Sequence, residues 1–211
     1  VRNPGFAQCF PCQEQRAESG GLLADVVVPI SYSPRTGQHH HHLRSYKSFP
    51  PSAQAKWNLL ALLLLFLRDH LDCVYGRLGA GPTHVVAVPS TRGRAGPHPL
   101  RELVGDRLGL PWLAAVPNPH HGPDVRHFQP DWFSVRLPGR ARDVRPLVLD
   151  DTWTTGSRAQ SLAYALKSAG ADSVAIVVLG RHVNPEHRAS RPLLKAIEEP
   201  VFDLSTCAME R

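Results

Sequence analysis

No apolar run in this chain is long enough to cross a bilayer. The most apolar stretch, Trp57 to Leu71 with its core Leu62-Leu63-Leu64-Leu65-Phe66-Leu67, is soon broken by Arg68, Asp69 and His70, so it predicts a buried helix and no membrane partner. The amino terminus shows no secretory pattern, and the expected setting is cytoplasmic. No repeat of useful length and no nucleic-acid-binding motif is visible. Cysteine is scarce: Cys9 and Cys12 form the single Cys-x-x-Cys, with Cys73 and Cys207 far away, which excludes a disulfide-built scaffold.

What is present is a globular composition: 211 residues, 42% hydrophobic and 20% charged. That is enough for one main α/β core with a smaller appended region. Twenty prolines predict long structured loops. The formal charge of +6 favours anionic partners, small phosphorylated molecules before nucleic acid, which is not excluded.

Asp25 to Ser33 has the β-branched run of a strand, and Leu43 to Lys47 reads as its returning partner across a turn holding His39 to His42, a hairpin. Ser52 is the expected N-cap of a long helix reaching about Leu78. His84 to Val88 predicts a buried parallel strand, followed by the loop Pro89-Ser90-Thr91-Arg92-Gly93-Arg94 and a helix over Pro99 to Leu108. The Pro-, His- and Arg-rich stretch from Pro117 to Arg145, with Trp132 to Val135 its strand-like piece, has the length of a functional lid. Leu147 to Leu149 predicts a strand, Ser157 to Ala169 a helix and Ser173 to Leu179 another strand, which together make a βαβ unit and a parallel sheet. A short helix is expected over Pro192 to Ile197.

The chemistry concentrates between that strand and that helix. Asp150 and Asp151 stand at a strand's carboxyl end, where they can accept hydrogen bonds from vicinal sugar hydroxyls and attract Mg²⁺. Thr152, Trp153, Thr154, Thr155, Gly156 and Ser157 follow, a turn whose N–H groups feed a helix N-terminus suited to a phosphate. A receiver domain also carries an acid pair after a strand, but only 60 residues follow Asp151, too few for the later Asp and Lys that such a domain needs. A βαβ turn using Asp and Thr for capping alone is the other structural reading.

Leu147 to Gly156 closely resembles the phosphoribosyl pyrophosphate motif of type I phosphoribosyltransferases. Val86 to Ser90 with Arg92 and Arg94, and Arg126 to Val135, look like the pyrophosphate loop and the mobile loop of the ComF-like branch. The loop Gly93-Arg94-Ala95-Gly96-Pro97 departs from the Arg-Gly-Phe-Asn run of many ComF-like proteins, and Trp153 is bulky for its place. The resemblance covers roughly residues 84 to 182. It implies a central, mostly parallel sheet flanked by helices, with residues 1–80 as an amino-terminal hood, 81–182 as the core and 183–211 as a tail packing back on the amino-terminal region. It also implies transfer of phosphoribosyl from 5-phosphoribosyl 1-pyrophosphate (PRPP) to a small acceptor with Mg²⁺. Asp150, Asp151, Arg92, Arg94 and Arg126 would be catalytic, Asp150 to Ser157 would hold ribose and 5-phosphate, and Ser90, Thr91, Arg92, Gly93 and Arg94 the pyrophosphate. A homodimer is a family-level expectation. The alternative is a non-catalytic sensor or regulatory module that keeps the sugar-phosphate site.

Cys9 and Cys12 have the spacing to face one ion, and Cys207 and His182, with His187 behind, are the further ligands expected of a structural Zn²⁺. Amino-terminal zinc segments are frequent in ComF-like proteins. The other readings of the pair are a redox couple, for which no thioredoxin-like context follows, and a disulfide, which a cytoplasmic setting disfavours. Cys73 is expected in the core.

Overall fold

The computed structural model describes residues 9–90, 98–121 and 127–198. Its centre is built from the Val-, Leu- and Ile-rich runs. β3 (His84–Ala87), β6 (Pro146–Trp153) and β7 (Ala175–Val183) lie side by side, all parallel. Parallel strands covered on both faces carry near-continuous apolar sequence, and Leu147, Val148, Leu149, Ile176, Val177 and Val178 are all essentially inaccessible. β1 (Val26–Pro29) and β2 (Tyr32–Pro34) both pair in parallel with β7, Val26 opposite Ala175 and Tyr32 opposite Arg181. They form one edge strand broken at Ile30 and Ser31, giving the sheet order β1-β7-β6-β3. The 1–80 segment therefore supplies part of the central sheet.

Side chains alternate across the strands, and each face builds its own core. Leu147, Leu149, Ala175, Val177 and Leu179 pack with Leu59, Leu63, Phe66 and Leu67 of α3 (Ala53–Gly76) and with Leu100, Leu103 and Val104 of α4 (Pro99–Val104). Val148, Ile176 and Val178 pack with Ala159, Leu162, Ala163 and Leu166 of α5 (Ser157–Ser168) and with Trp132 and Phe133. The result is an α/β fold with a mostly parallel central sheet flanked by helices. Ser52 caps α3, its Oγ accepting from the N–H of Ala55 at 3.2 Å. No helix among the described residues is long and apolar enough to cross a membrane.

The hairpin expected over residues 25–47 is overturned. After β2 the chain turns at Gly37 into a helix, α2 (Gln38–Ser45), instead of returning as a strand. Leu43 and His39, four residues apart, share its inner face and sit on β7 at Gly180, where a Cβ would come within 2.5 Å of Leu43 and 2.8 Å of His39. His39 Nε2 also bonds the carbonyl of Leu179 at 3.0 Å. Packing at a side-chain-free position of the sheet decides the conformation of a run with little propensity of its own.

Three smaller differences have equally local causes. The polar stretch after Cys9 is α1 (Phe10–Ser19). α4 ends at Gly105, whose φ of 53° stops it short of Leu108. Cys73 is exposed, not in the core, because the buried stripe of α3 runs through Leu63, Phe66, Leu67, His70 and Val74. At the start of the expected lid, β4 (Ala115–Pro117) pairs antiparallel with β5 (Phe133–Val135) inside it. The carboxyl-terminal helix is α6 (Arg191–Glu198).

Candidate functional site

β6 continues four residues beyond Leu149, so Asp150, Asp151, Thr152 and Trp153 are the end of the strand and not the start of a loop. β3 lies beside it, and the chain leaving β3 at Val88, Pro89 and Ser90 opens outward next to the two aspartates. Together with Lys47, His98, Pro99 and Arg158 these residues line a cleft of about 340 Å³. Ligands of open α/β sheets bind at such carboxyl ends.

The cleft is electrostatically structured by residues that sequence reasoning had read only as a strand. Tyr46 Oη donates to Asp151 Oδ2 at 2.5 Å and Lys47 Nζ donates to the same oxygen at 2.7 Å. Burial pushes both carboxyls up. For Asp151 the Lys47 charge and the hydrogen bonds from Lys47, Tyr46 and Thr152 outweigh it and hold the group below its ordinary value. For Asp150 the compensation falls short: burial first, and then the charge of Asp151, raise it to about 7 against the pull of Lys47 and of backbone hydrogen bonds from Thr152 and Asp151. One acid is thus fixed as an anion, and its neighbour is poised to respond to whatever cation or hydroxyl enters. Arg158, in the first turn of α5, extends over the Trp132 ring at 5.6 Å and brings a second cation to the cleft.

The turn into α5 is built for close backbone approach. Gly156 has φ 78°, and a Cβ there would collide with the indole of Trp153. Glycine is required on both counts. It caps α5 without a side chain, and at the first position of the helix the Ser157 N–H donates to Thr155 Oγ1 at 3.4 Å; helix amino-terminal ends suit anions. Thr155 Oγ1 and Ser157 Oγ are 2.8 Å apart, and the buried Gln15 of α1 donates to the Thr155 carbonyl at 3.0 Å and to Ser157 Oγ at 3.4 Å. Thr154 is exposed.

Trp153 turns away from the aspartates. It lines a second cavity, of about 380 Å³, with Cys12, Gln15, Arg16, Asp25, Gln160 and Arg181 among its walls. The structure thus gathers Asp150, Asp151 and Ser90 in one cleft, with the Thr155–Ser157 turn following directly on β6. Thr91, Arg92, Gly93, Arg94 and Arg126 lie outside the described residues.

Of the expected metal ligands, Cys9 and Cys12 meet, their sulfurs 3.2 Å apart. His182 lies within β7, not past it, and its ring faces His40 at 5.2 Å between centroids. Cys207 is outside the described residues, among which no group of three or more His, Cys, Asp or Glu is gathered for a metal. Burial pushes the Cys9 thiol up, but hydrogen bonds with Cys12 and the charge of Arg181 hold it below its usual value. Burial and the hydrogen bond and charge of Cys9 push Cys12 up to about 11.

Neither a family model nor a curated protein sequence matches the chain. In fold it is similar to solved phosphoribosyltransferases. One is a purine phosphoribosyltransferase from Pyrococcus horikoshii Ot3 (17% identity, TM-score 0.35, covering 69% of this chain and 91% of that one). Another is the adenine phosphoribosyltransferase of Leishmania tarentolae (13%, 0.41, 72% and 92%). A third is the adenine phosphoribosyltransferase of Leishmania donovani (13%, 0.35, 71% and 79%). The functional reading rests on the geometry of the cleft itself.

Proposed function

We propose that the chain binds PRPP at the β6–α5 junction and transfers its phosphoribosyl group to a small acceptor, releasing pyrophosphate. The carrying observation is the junction's composition: two adjacent carboxylates at a strand end, in a cleft that also holds Lys47, Ser90 and Arg158, with a glycine-capped helix N-terminus a few residues further along the chain. Carboxylates suit the vicinal hydroxyls of a ribose, and the helix end suits its 5-phosphate. The distance from hydroxyls to phosphate within one sugar is short, as is the chain between Asp151 and Ser157.

The residues present fit a divalent cation. Asp150, raised to about 7 by burial and then by the charge of Asp151 against the pull of Lys47, is a hard oxygen donor beside a second carboxylate, a pairing of the kind that Mg²⁺ takes. Mg²⁺ would neutralise charge growing on the leaving pyrophosphate. The protein's share is positional. Asp151, itself oriented by Tyr46 and Lys47, holds the sugar; Ser90 and Arg158 face the side on which the pyrophosphate would lie; and the turn fixes the phosphate end, so that the C1–oxygen bond breaks in one place.

A screen of amine, base and small-metabolite acceptors scored by Mg²⁺-dependent pyrophosphate release tests the transfer. Release with at least one acceptor, abolished by Asp150→Asn with Asp151→Asn, is the expected result. Binding of PRPP without release across the whole screen would replace the enzyme by a sensor that uses the same site.

A further inference from the structure

The second cavity and the thiol pair at its edge are not used by this chemistry. Cys9 is the N-cap of α1, with extended backbone (φ −74°, ψ 158°), and Cys12 sits in the first turn, its N–H donating to the Cys9 carbonyl at 3.0 Å. This geometry folds the Cys9 side chain back over the helix end, which is why the two sulfurs approach to 3.2 Å. Both are partly accessible. One turn further along the same helix, Gln15 is buried at 3% exposure and holds Thr155 and Ser157, the turn that leads into α5. Thiols and turn are therefore joined by one short, stiff element.

We propose that Cys9 and Cys12 form a reversible disulfide, and that this bond, by fixing the first turn of α1, stiffens the Thr155–Ser157 turn through Gln15. The oxidant is a low-molecular-weight disulfide, RSSR. One cysteine sulfur attacks it, forming a protein–SR mixed disulfide and releasing RSH once its own proton is passed on. The second cysteine sulfur displaces the remaining RS group as RSH. Two thiols and RSSR thus become one protein disulfide and two RSH, with two electrons passing from protein to RSSR. A small inward movement of either sulfur brings the pair from 3.2 Å to the roughly 2.05 Å of the bond. A metal is the competing use of the pair, but the remaining described His, Cys, Asp and Glu residues do not complete a ligand set around it. Reversible pairs of this kind serve as sensors where structural disulfides do not persist.

The test uses the full chain as purified, analysed first for zinc and then titrated with oxidised glutathione. Thiol counting, intact mass and peptide mapping identify the bond, and hydrogen exchange reads the turn. The expected result is a Cys9–Cys12 disulfide reversed by dithiothreitol, with exchange at the Thr155–Ser157 amides slowed about tenfold in the oxidised form and unchanged by oxidation in Gln15→Ala. The same bond should form in a Cys73→Ser, Cys207→Ser chain; if that variant fails to fold, differential alkylation of the wild type reads the same pairing. Stoichiometric zinc lost in Cys9→Ser, mixed disulfides that never resolve, or a Cys9–Cys12 bond that leaves exchange at the turn unaltered would each overturn the proposal. No sugar phosphate is used, so the outcome is independent of the substrate reading.

Discussion

Two hollows flank the end of β6, and they are opposite in character. The Asp150–Asp151 cleft is acidic at its base and is met by Tyr46 and Lys47 from the end of α2 and by Arg158 from α5. The cavity behind Trp153 has Arg16 and Arg181 in its walls, and the carboxylate among its described lining residues, Asp25, is taken by the N–H of Val174 at 2.7 Å and by Lys167 at 2.8 Å. Asp25 there serves to fasten the edge of the sheet, whereas Asp151 in the other hollow is held ready at an opening. Both carboxylates are hydrogen-bonded, and what separates them is place: Asp25 joins two segments at the sheet edge, whereas Asp151 lines an open cleft beside a second carboxylate.

The sharpest way to break this arrangement is at the turn after β6, where Trp153 of the second hollow packs on Gly156. Gly156→Ala places a Cβ against the Trp153 indole at a φ of 78° and should destabilise by about 3 kcal/mol, combining a left-handed backbone cost with overpacking. Urea unfolding measures it, and Gly156→Ala with Trp153→Ala should recover the packing part but not the backbone part. A loss of about 1–2 kcal/mol, the same in Gly156→Ala as in the double variant, would mean that Trp153 does not pack on the turn.

Removing the cation from the acidic side is the next largest effect. Lys47→Met leaves Asp151 with Tyr46 and Thr152 but no charge partner, and a loss of about 1 kcal/mol is expected from this partly exposed pair, again by urea unfolding. Asp151 should then titrate higher, observable by carboxyl NMR. An unmoved Asp151 would show that Lys47 does not govern it.

Asp150 gives the comparison a pH signature. Its folded value, raised to about 7, lies above the unfolded one, so between about pH 4 and pH 7 the native state binds the extra proton. The stability that this group contributes is present at low pH and is lost as pH rises through that window. Asp150→Asn should flatten that part of the stability curve; a wild-type curve with the same slope as the variant's would contradict the assignment. The smallest effect belongs to the surface. Arg35–Glu186, at 3.7 Å with both partners exposed, should lose under about 0.5 kcal/mol on Glu186→Gln.

The βαβ unit could be read in advance because each piece is locally consistent: an apolar strand, a turn with glycine where φ is positive, and a helix with apolar residues at helical spacing. Asp150, Asp151 and Gly156 were legible for that reason. Tyr46 and Lys47 were not, being about a hundred residues away from Asp151 in a stretch whose four histidines favour no element; only Gly180 and the packing of Leu43 reveal the helix that delivers them. The exposure of Cys73 was available in the sequence, since the stripe Leu63, Phe66, Leu67, His70, Val74 leaves it on the outer face. The parallel pairing of β1 and β2 with β7 is a non-local choice that no residue in either segment announces.

The central claim is that the β6–α5 junction holds a pyrophosphorylated ribose phosphate, and calorimetric titration of PRPP with Mg²⁺ into the full chain tests it most directly. Saturable binding at one site is predicted, with a melting temperature that rises with ligand as a stabilisation of about 2.7 kcal/mol at a hundredfold excess over Kd requires, both lost in Asp150→Asn with Asp151→Asn. No binding by the folded wild-type chain, or equal binding by the double variant, would contradict it.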